Sequence, residues 1–193
     1  MYFVNYGGLG NYSLHRIDPD GVIHTVVPLH ASGVYGDGDV WGDAAIGGVI
    51  DMEVGPDGSV YLADGYPSVV RRLSPDGYLT TLSIPGGGYY ACQEGPLGTT
   101  PLGNVAGLAI DAAGEILLTF NNASCVMRLT RDGMLERLAY LGQGGGVDVD
   151  ASGTVYAVDW GSTGSTGSSW TGRRRRWRAT PMGSRAPTGR RRS

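Results

Sequence analysis

Three short acidic segments contain side chains that could bind a cation. They are DPDG (18–21), GDGD (36–39) and DVDAS (148–152). A calcium loop of the EF-hand type needs a further oxygen ligand and a glutamate at the end of the loop. None of the three segments has them, so each is predicted to be a tight turn.

The other reactive side chains are few. Cys92 and Cys125 are the two cysteines. The three histidines share no common spacing: His15, His24 and His30. His15 takes the place of Arg71 and Met127 in the other copies, so we expect it to be an ordinary strand side chain. Three arginines, in contrast, are evenly spaced along the chain, namely Arg16, Arg72 and Arg128. Even spacing indicates a repeated structural unit, and the elements of that unit must therefore be found first.

The charge of the chain is unevenly divided. All 15 basic residues are arginines, nine of them after residue 172, whereas all 18 acidic residues lie at or before Asp159. The part of the chain up to Asp159 thus carries six arginines against 18 acidic residues and is strongly negative. Such a body repels nucleic acid, so nucleic-acid contact is expected only of the C-terminal tail. No segment is apolar for the length of a membrane span.

Two families of repeated segments organise the chain. LHRIDPDGVIHTVV (14–27), VVRRLSPDGYLTTL (69–82) and CVMRLTRDGMLERL (125–138) align at two equal steps. A second family lies upstream of these segments and consists of IDMEVGPDGSVYLAD (50–64), GLAIDAAGEILLTF (107–120) and GVDVDASGTVYAVD (146–159). Its first two copies are separated by the same number of residues as those of the first family, and its last two copies by fewer. Each copy reads as four short strands, a to d, with glycine turns between a and b and between c and d. Four-stranded antiparallel repeats of this kind predict an all-β fold, a β-propeller.

The motifs GLAIDAAGEILLTF, GPDGSVYLAD, DASGTVYAVD and RRLSPDG resemble NHL-repeat propellers, which overlap in pattern with gluconolactonase-like propellers. GVYGDGDVWGDAAIGG (33–48) and CQEGPLGTTPLGNVAG (92–107) resemble the inter-blade insertions of bacterial and teneurin-type members. The resemblance implies blades at about 1–29, 46–84, 104–139 and 144–160. The first copy lacks strand a and the last lacks strands c and d. We therefore expect a partial propeller of about three and a half blades, an arc of a larger and most simply six-bladed ring.

The propeller topology makes a disulfide between Cys92 and Cys125 feasible. Cys92 follows strand d of one blade and Cys125 lies at the b–c turn of the next, and both connections emerge on the same face. A disulfide would imply an oxidising compartment, and two free thiols are the alternative. We expect the disulfide, and with it an extracellular or cell-envelope location. The N-terminus shows no signal peptide, and we expect it to be truncated.

Glu53 and Asp148 occupy equivalent positions of strand a, which lines the central channel. Lactonase-type propellers bind a metal there, so the resemblance makes these two the metal candidates, with calcium as the divalent ion. A solvated channel wall without cofactor is the simpler interpretation. The repeated Arg16, Arg72 and Arg128 could form a ligand-binding ring, but structural ion pairs of strands b and c or between blades are the simpler expectation.

The tail, residues 161–193, has no acidic residue and no apolar periodicity, and is predicted to be disordered. Two interpretations stand. It is a basic arm that binds anionic polymers, or it is the product of a frameshift in a GC-rich gene, which the absence of lysine favours.

These observations favour a non-enzymatic scaffold that binds a protein or a small ligand. Its contact residues would be aromatic side chains of the two insertions: Tyr35, Trp41, Tyr89 and Tyr90. A metal-dependent hydrolase or lyase of the lactonase-like class is the alternative.

Overall fold

The structure, a computed structural model, describes residues 1–7, 12–28, 37–38, 40–65, 68–83, 92–121, 123–141, 144–159 and 173–178. Within these ranges the chain is all-β, and a single turn of 3-10 helix at Trp41–Asp43 is the only helical element. The predicted all-β class is therefore confirmed. No helix in the described part is long and apolar enough to cross a membrane.

The strands form four antiparallel sheets, which we call blades 1 to 4 in chain order. Blade 1 contains β1 (Tyr2–Tyr6), β2 (Tyr12–Ile17) and β3 (Ile23–Val27). Blade 2 contains β4 (Val49–Val54), β5 (Val60–Asp64), β6 (Val69–Leu73) and β7 (Leu79–Thr81). Blade 3 contains β8 (Gly95–Pro96), β9 (Val105–Ile110), β10 (Ile116–Phe120), β11 (Ala123–Leu129) and β12 (Met134–Tyr140). Blade 4 contains β13 (Gly144–Val149), β14 (Thr154–Asp159) and β15 (Arg173–Arg178).

Blades 1 to 3 follow the predicted antiparallel order of strands, and β8 adds a fifth strand to blade 3. The sheet orders are β1-β2-β3, β4-β5-β6-β7, β8-β12-β11-β10-β9 and β13-β14-β15. The turns between neighbouring strands depend on the repeated glycines, all of which have positive φ values between 78° and 96°: Gly21, Gly58, Gly77, Gly114, Gly133 and Gly153. Side chains with a Cβ rarely adopt this conformation, which explains why the glycines carry the period of the sequence.

The hydrophobic cores lie between the blades. One core joins blades 1 and 2 through residues such as Leu14 and Leu62, and a second joins blades 2 and 3 through Ala63 and Leu118. A third joins blades 3 and 4 through Leu117, Val155 and neighbouring residues. Each sheet between two others therefore buries both of its faces, as stacked repeats must.

The innermost strands β4, β9 and β13 lie side by side. Gly107 of β9 approaches β13 so closely that a Cβ at this position would lie 2.9 Å from the Cα of Gly146 and from the backbone nitrogen of Val147. Absence of a side chain at Gly107 thus allows the inner strands of blades 3 and 4 to pack together.

Both insertions pack onto the blade that follows them. In the first, Val40 bridges Tyr78 and the backbone nitrogen of Gly38 donates to the carbonyl oxygen of Leu79 at 2.7 Å, along the outer edge of blade 2. In the second, β8 pairs with β12 along the outer edge of blade 3. The chain then passes between blades, where buried apolar side chains contribute to the cores: Ala44, Ile46, Leu97 and Leu102.

Blade 4 departs from the sequence-based expectation. Strand c of the last copy was expected to be missing and the tail to lack regular structure, but β15 pairs with β14 from Thr154↔Arg178 to Asp159↔Arg173. The unpaired backbone groups along the edge of β14 accept any extended segment, so pairing here does not need the repeat sequence. The rest of the tail lies outside the described residues.

Candidate functional site

The two predicted metal ligands lie on the innermost strands of blades 2 and 4. Glu53 belongs to β4 and Asp148 to β13, and Ala109 occupies the equivalent position of β9 between them. Glu53 and Asp148 are both exposed. The backbone nitrogen of Val149 donates to Oδ1 of Asp148 at 2.7 Å, so this side chain is held against its own strand.

Glu53 has the one raised carboxyl pKa among the described residues with a resolved shift. Partial burial raises the pKa of Glu53, the backbone hydrogen bond at Val54 opposes this, and the negative charges of Asp51 and Asp148 raise it further. Asp51 also joins two blades, because its Oδ2 accepts a hydrogen bond from the backbone nitrogen of Leu108 at 2.9 Å. The carboxylates of Asp51 and Asp148 thus lie close enough to Glu53 to repel its negative charge.

This arrangement supplies few ligands for a metal ion. Calcium takes six to eight oxygen ligands, and Glu53 and Asp148 provide two carboxylates, while Ala109 provides no side-chain ligand. Within the described ranges, no group of three or more His, Cys, Asp or Glu side chains is placed to hold a metal ion. The metal role of Glu53 and Asp148 stays a prediction.

The predicted disulfide is confirmed. Cys92 and Cys125 are bonded, with Cα atoms 5.9 Å apart, and Cys125 is fully buried in the core between blades 2 and 3. The same segment is held by Arg137 of β12, whose Nη1 donates to the carbonyl oxygen of Cys92 at 3.3 Å. The backbone nitrogen of Arg137 donates to Oε1 of Glu94 at 3.1 Å. The second insertion is thus fixed to blade 3 covalently and by hydrogen bonds.

A buried charged cluster fixes the first insertion in a similar way. Asp64, fully buried at the end of β5, accepts hydrogen bonds from the backbone nitrogens of Gly47 (2.8 Å) and Gly48 (3.0 Å). Arg71 of β6, also fully buried, donates from Nη1 to the carbonyl oxygen of Ala45 at 2.5 Å. Burial lowers the pKa of Arg71, and the charge of Asp64 counteracts this.

Sequence analysis did not identify this cluster. At the position of Arg71 the other copies have His15 and Met127, so the repeat gave no reason to select it. The one available signal was that Arg71, a charged residue, stands at a position of strand c where the alternation calls for an apolar side chain. The structure buries Arg71 close to the carboxylate of Asp64. A buried arginine and aspartate are retained only when they are paired and hydrogen-bonded.

The three repeated arginines each form an ion pair within their own blade. Nε of Arg16 lies 2.9 Å from Oδ1 of Asp18, and Nη2 of Arg72 lies 2.9 Å from Oδ2 of Asp57. Arg128 contacts two carboxylates, those of Glu115 (3.2 Å) and Glu136 (2.7 Å). These partners lie at the turn end of the blades. Asp64, at the end of β5, interacts instead with Arg71 and with the first insertion.

The four aromatic candidates are only partly described. Trp41 begins the 3-10 helix, and the structure does not describe its side chain. The other three, Tyr35, Tyr89 and Tyr90, lie outside the described residues, and so does His30. His15 stacks on Phe3 with ring centroids 5.0 Å apart, and His24 contacts Asp18 at 2.8 Å, so both belong to blade 1 and not to the channel.

No protein-family model matches the sequence, and no curated protein is detectably similar to it. Solved structures do match. Virginiamycin B lyase from Staphylococcus aureus, solved with quinupristin, has a TM-score of 0.52 at 14% identity over 94% of this chain and 56% of the other. A chain of a nidogen/laminin complex has a TM-score of 0.54 at 18% identity over 83% and 54%.

A protein of unknown function from Bacteroides thetaiotaomicron has a TM-score of 0.57 at 14% identity over 81% of this chain and 41% of the other. The chain thus spans about half the length of the structures it matches. At identities this low a likeness establishes the fold alone. The chain is an arc of a β-propeller.

Proposed function

We propose that this chain is a non-enzymatic binding propeller of the NHL type, located outside the cell or in the cell envelope. The observation that carries the proposal is the anchoring of both insertions to the blades. Asp64 and Arg71 hold the first insertion, and the Cys92–Cys125 disulfide holds the second. Loops fixed on a rigid scaffold lose little conformational entropy on binding, which favours recognition.

The proposed contact residues are the aromatic side chains of these insertions: Tyr35, Trp41, Tyr89 and Tyr90. Aromatic residues contribute a large contact area for few rotatable bonds, and they are enriched among residues that dominate binding energy. The partner is a protein or a small ligand. The disulfide supports the location, because disulfides persist in oxidising compartments.

The alternative is a lactonase-like or lyase-like propeller that uses a divalent metal such as calcium. The acidic side chains on the innermost strands favour it. Glu53 has a raised pKa beside Asp51 and Asp148. A bound cation would relieve this repulsion, so calcium would stabilise the chain if the alternative holds.

A random-peptide library displayed on phage, selected against the disulfide-intact chain, tests the binding proposal. Selected peptides are expected to bind at least about tenfold more weakly to the Trp41→Ala and Tyr89→Ala variants, as truncation of interface aromatics generally causes. Tyr6→Ala is the matched control, because Tyr6 is an exposed aromatic residue (60%) of blade 1 that lies outside both insertions. The proposal would be contradicted if the peptides lost affinity equally for all three variants, or if they lost affinity for none of them.

The enzymatic alternative is tested with glucono-δ-lactone as substrate, in calcium and in chelator. The binding proposal expects no calcium-dependent hydrolysis and no calcium-dependent rise in melting temperature. Calcium-dependent turnover that Glu53→Gln abolishes, with the selected peptides still bound, would instead support the lactonase-like alternative.

A further inference from the structure

The turn end of the blades contains a cleft that the proposed function does not use. This cleft, of about 550 Å³, lies between blades 2 and 3, and its wall includes Tyr61 and Arg72 from blade 2 and Ile116 and Arg131 from blade 3. We infer that it binds small organic anions that carry a carboxylate on an apolar body. A volume of several hundred Å³ with an apolar floor and a few polar groups is typical of small-molecule sites.

The charge of the cleft differs from that of its surroundings. The chain up to Asp159 contains six arginines and all 18 acidic residues, yet the cleft wall contains two of those arginines and one carboxylate, Asp57. Arg131 is exposed and forms no ion pair with any residue that the structure describes. A net positive cleft on a strongly acidic body selects an anionic ligand.

The neighbouring repeat shows that Arg72 is less neutralised than its equivalent. Arg128, the same position in blade 3, contacts Glu115 and Glu136, and its side chain is 12% exposed. At the equivalent positions blade 2 has Ser59 and Thr80, not acids.

The single ion-pair partner of Arg72 among the described residues is Asp57, and the Arg72 side chain is 36% exposed. Exposed pairs of this kind contribute little and exchange readily with a ligand carboxylate.

The floor of the cleft is apolar. Leu97, Ile116 and Leu129 line it, and all three side chains are buried. Tyr61 lies directly opposite Arg72 in the register of β5 and β6, which places its aromatic ring beside the guanidinium group. An apolar body would contact the leucines and isoleucine while its carboxylate reaches the two arginines at the rim.

The test uses 4-phenylbutyrate, with 4-phenylbutyramide as the neutral control, in an NMR titration of the intact chain. We expect millimolar binding of the acid, with shifts at the amides of Gly114, Thr130 and Gly133, and much weaker binding of the amide. Arg131→Gln should weaken binding of the acid about tenfold, as loss of a charge-assisted hydrogen bond implies. Arg16→Gln, at the repeat position of Arg72 but in blade 1, should leave it unchanged.

The Asp57→Asn variant distinguishes a ligand-binding cleft from a groove that has only a structural role. The asparagine oxygen can still accept the turn hydrogen bond that Asp57 accepts from the backbone nitrogen of Ser59. Removal of the competing charge should tighten binding of the acid about two- to fivefold. Equal binding of acid and amide, shifts centred elsewhere, no binding at millimolar concentration, or no effect of Arg131→Gln would each overturn the inference.

Discussion

Removal of the disulfide is the perturbation whose magnitude follows most directly from the structure. Cys92 and Cys125 are 33 residues apart in sequence. Closing a loop of this length in the unfolded chain removes entropy worth about 3.7 kcal/mol at 25 °C in the chain-entropy relation. This is a large fraction of the roughly 5–15 kcal/mol that stabilises a typical domain. We therefore expect Cys92→Ala/Cys125→Ala to lose about 3–4 kcal/mol of unfolding free energy.

Urea unfolding followed by circular dichroism measures this loss, and the melting temperature should fall by roughly 7–15 °C. Reduced wild-type chain should behave like the double variant, because both lack the cross-link. Arg137→Gln, which removes a hydrogen bond of the same insertion but keeps the disulfide, should cost about 1 kcal/mol. A loss below about 1 kcal/mol in the double variant would refute the view that the disulfide holds the insertion to blade 3.

Three further predictions concern the other contacts. Asp64→Ala should destabilise the chain by about 3–5 kcal/mol in chemical unfolding, since it leaves the buried charge of Arg71 without this carboxylate. Gly107→Ala should cost about 1–3 kcal/mol because its Cβ would meet the backbone of β13, whereas Gly146→Ala, with no atom within 4 Å of its added Cβ, should cost almost nothing. Glu53→Gln should stabilise the chain at neutral pH. A carboxyl group with a raised folded-state pKa destabilises the folded state above that pKa, so the gain should vanish as the pH falls below 4.5; a gain that persists in acid would contradict this.

The strands and their turns could be predicted because local sequence determines them. Gly77 and Gly133 show the positive φ that their turns need, and the apolar alternation of each copy predicted its strands. The disulfide was predictable as well, since the order of strands in a blade brings Cys92 near Cys125 before any side-chain packing is considered.

The course of the insertions could not be predicted. Ala44 and Ile46 lie in a segment without period, and their burial depends on space left between two blades. The pairing of Asp64 and Arg71 with this segment depends on the same long-range packing. β15 was missed for a different reason, because pairing along the edge of β14 uses backbone groups that carry no sequence signal.

The cleft arises from single-copy differences. Ser59 and Thr80 of blade 2 occupy the positions of Glu115 and Glu136 in blade 3. The structure shows the consequence, because Arg72 pairs with one carboxylate and Arg128 with two.

The most direct test of the binding account is hydrogen–deuterium exchange of the disulfide-intact chain, free and bound to a phage-selected peptide. The account predicts that bound peptide slows exchange in residues 29–48 and 84–104, the two connections between blades that contain the proposed aromatic contacts. Exchange in the innermost strands β4, β9 and β13 and in the turns at Gly77 and Gly133 should be unchanged. Protection centred on the channel-lining strands around Glu53 and Asp148, with the insertions unaffected, would contradict it.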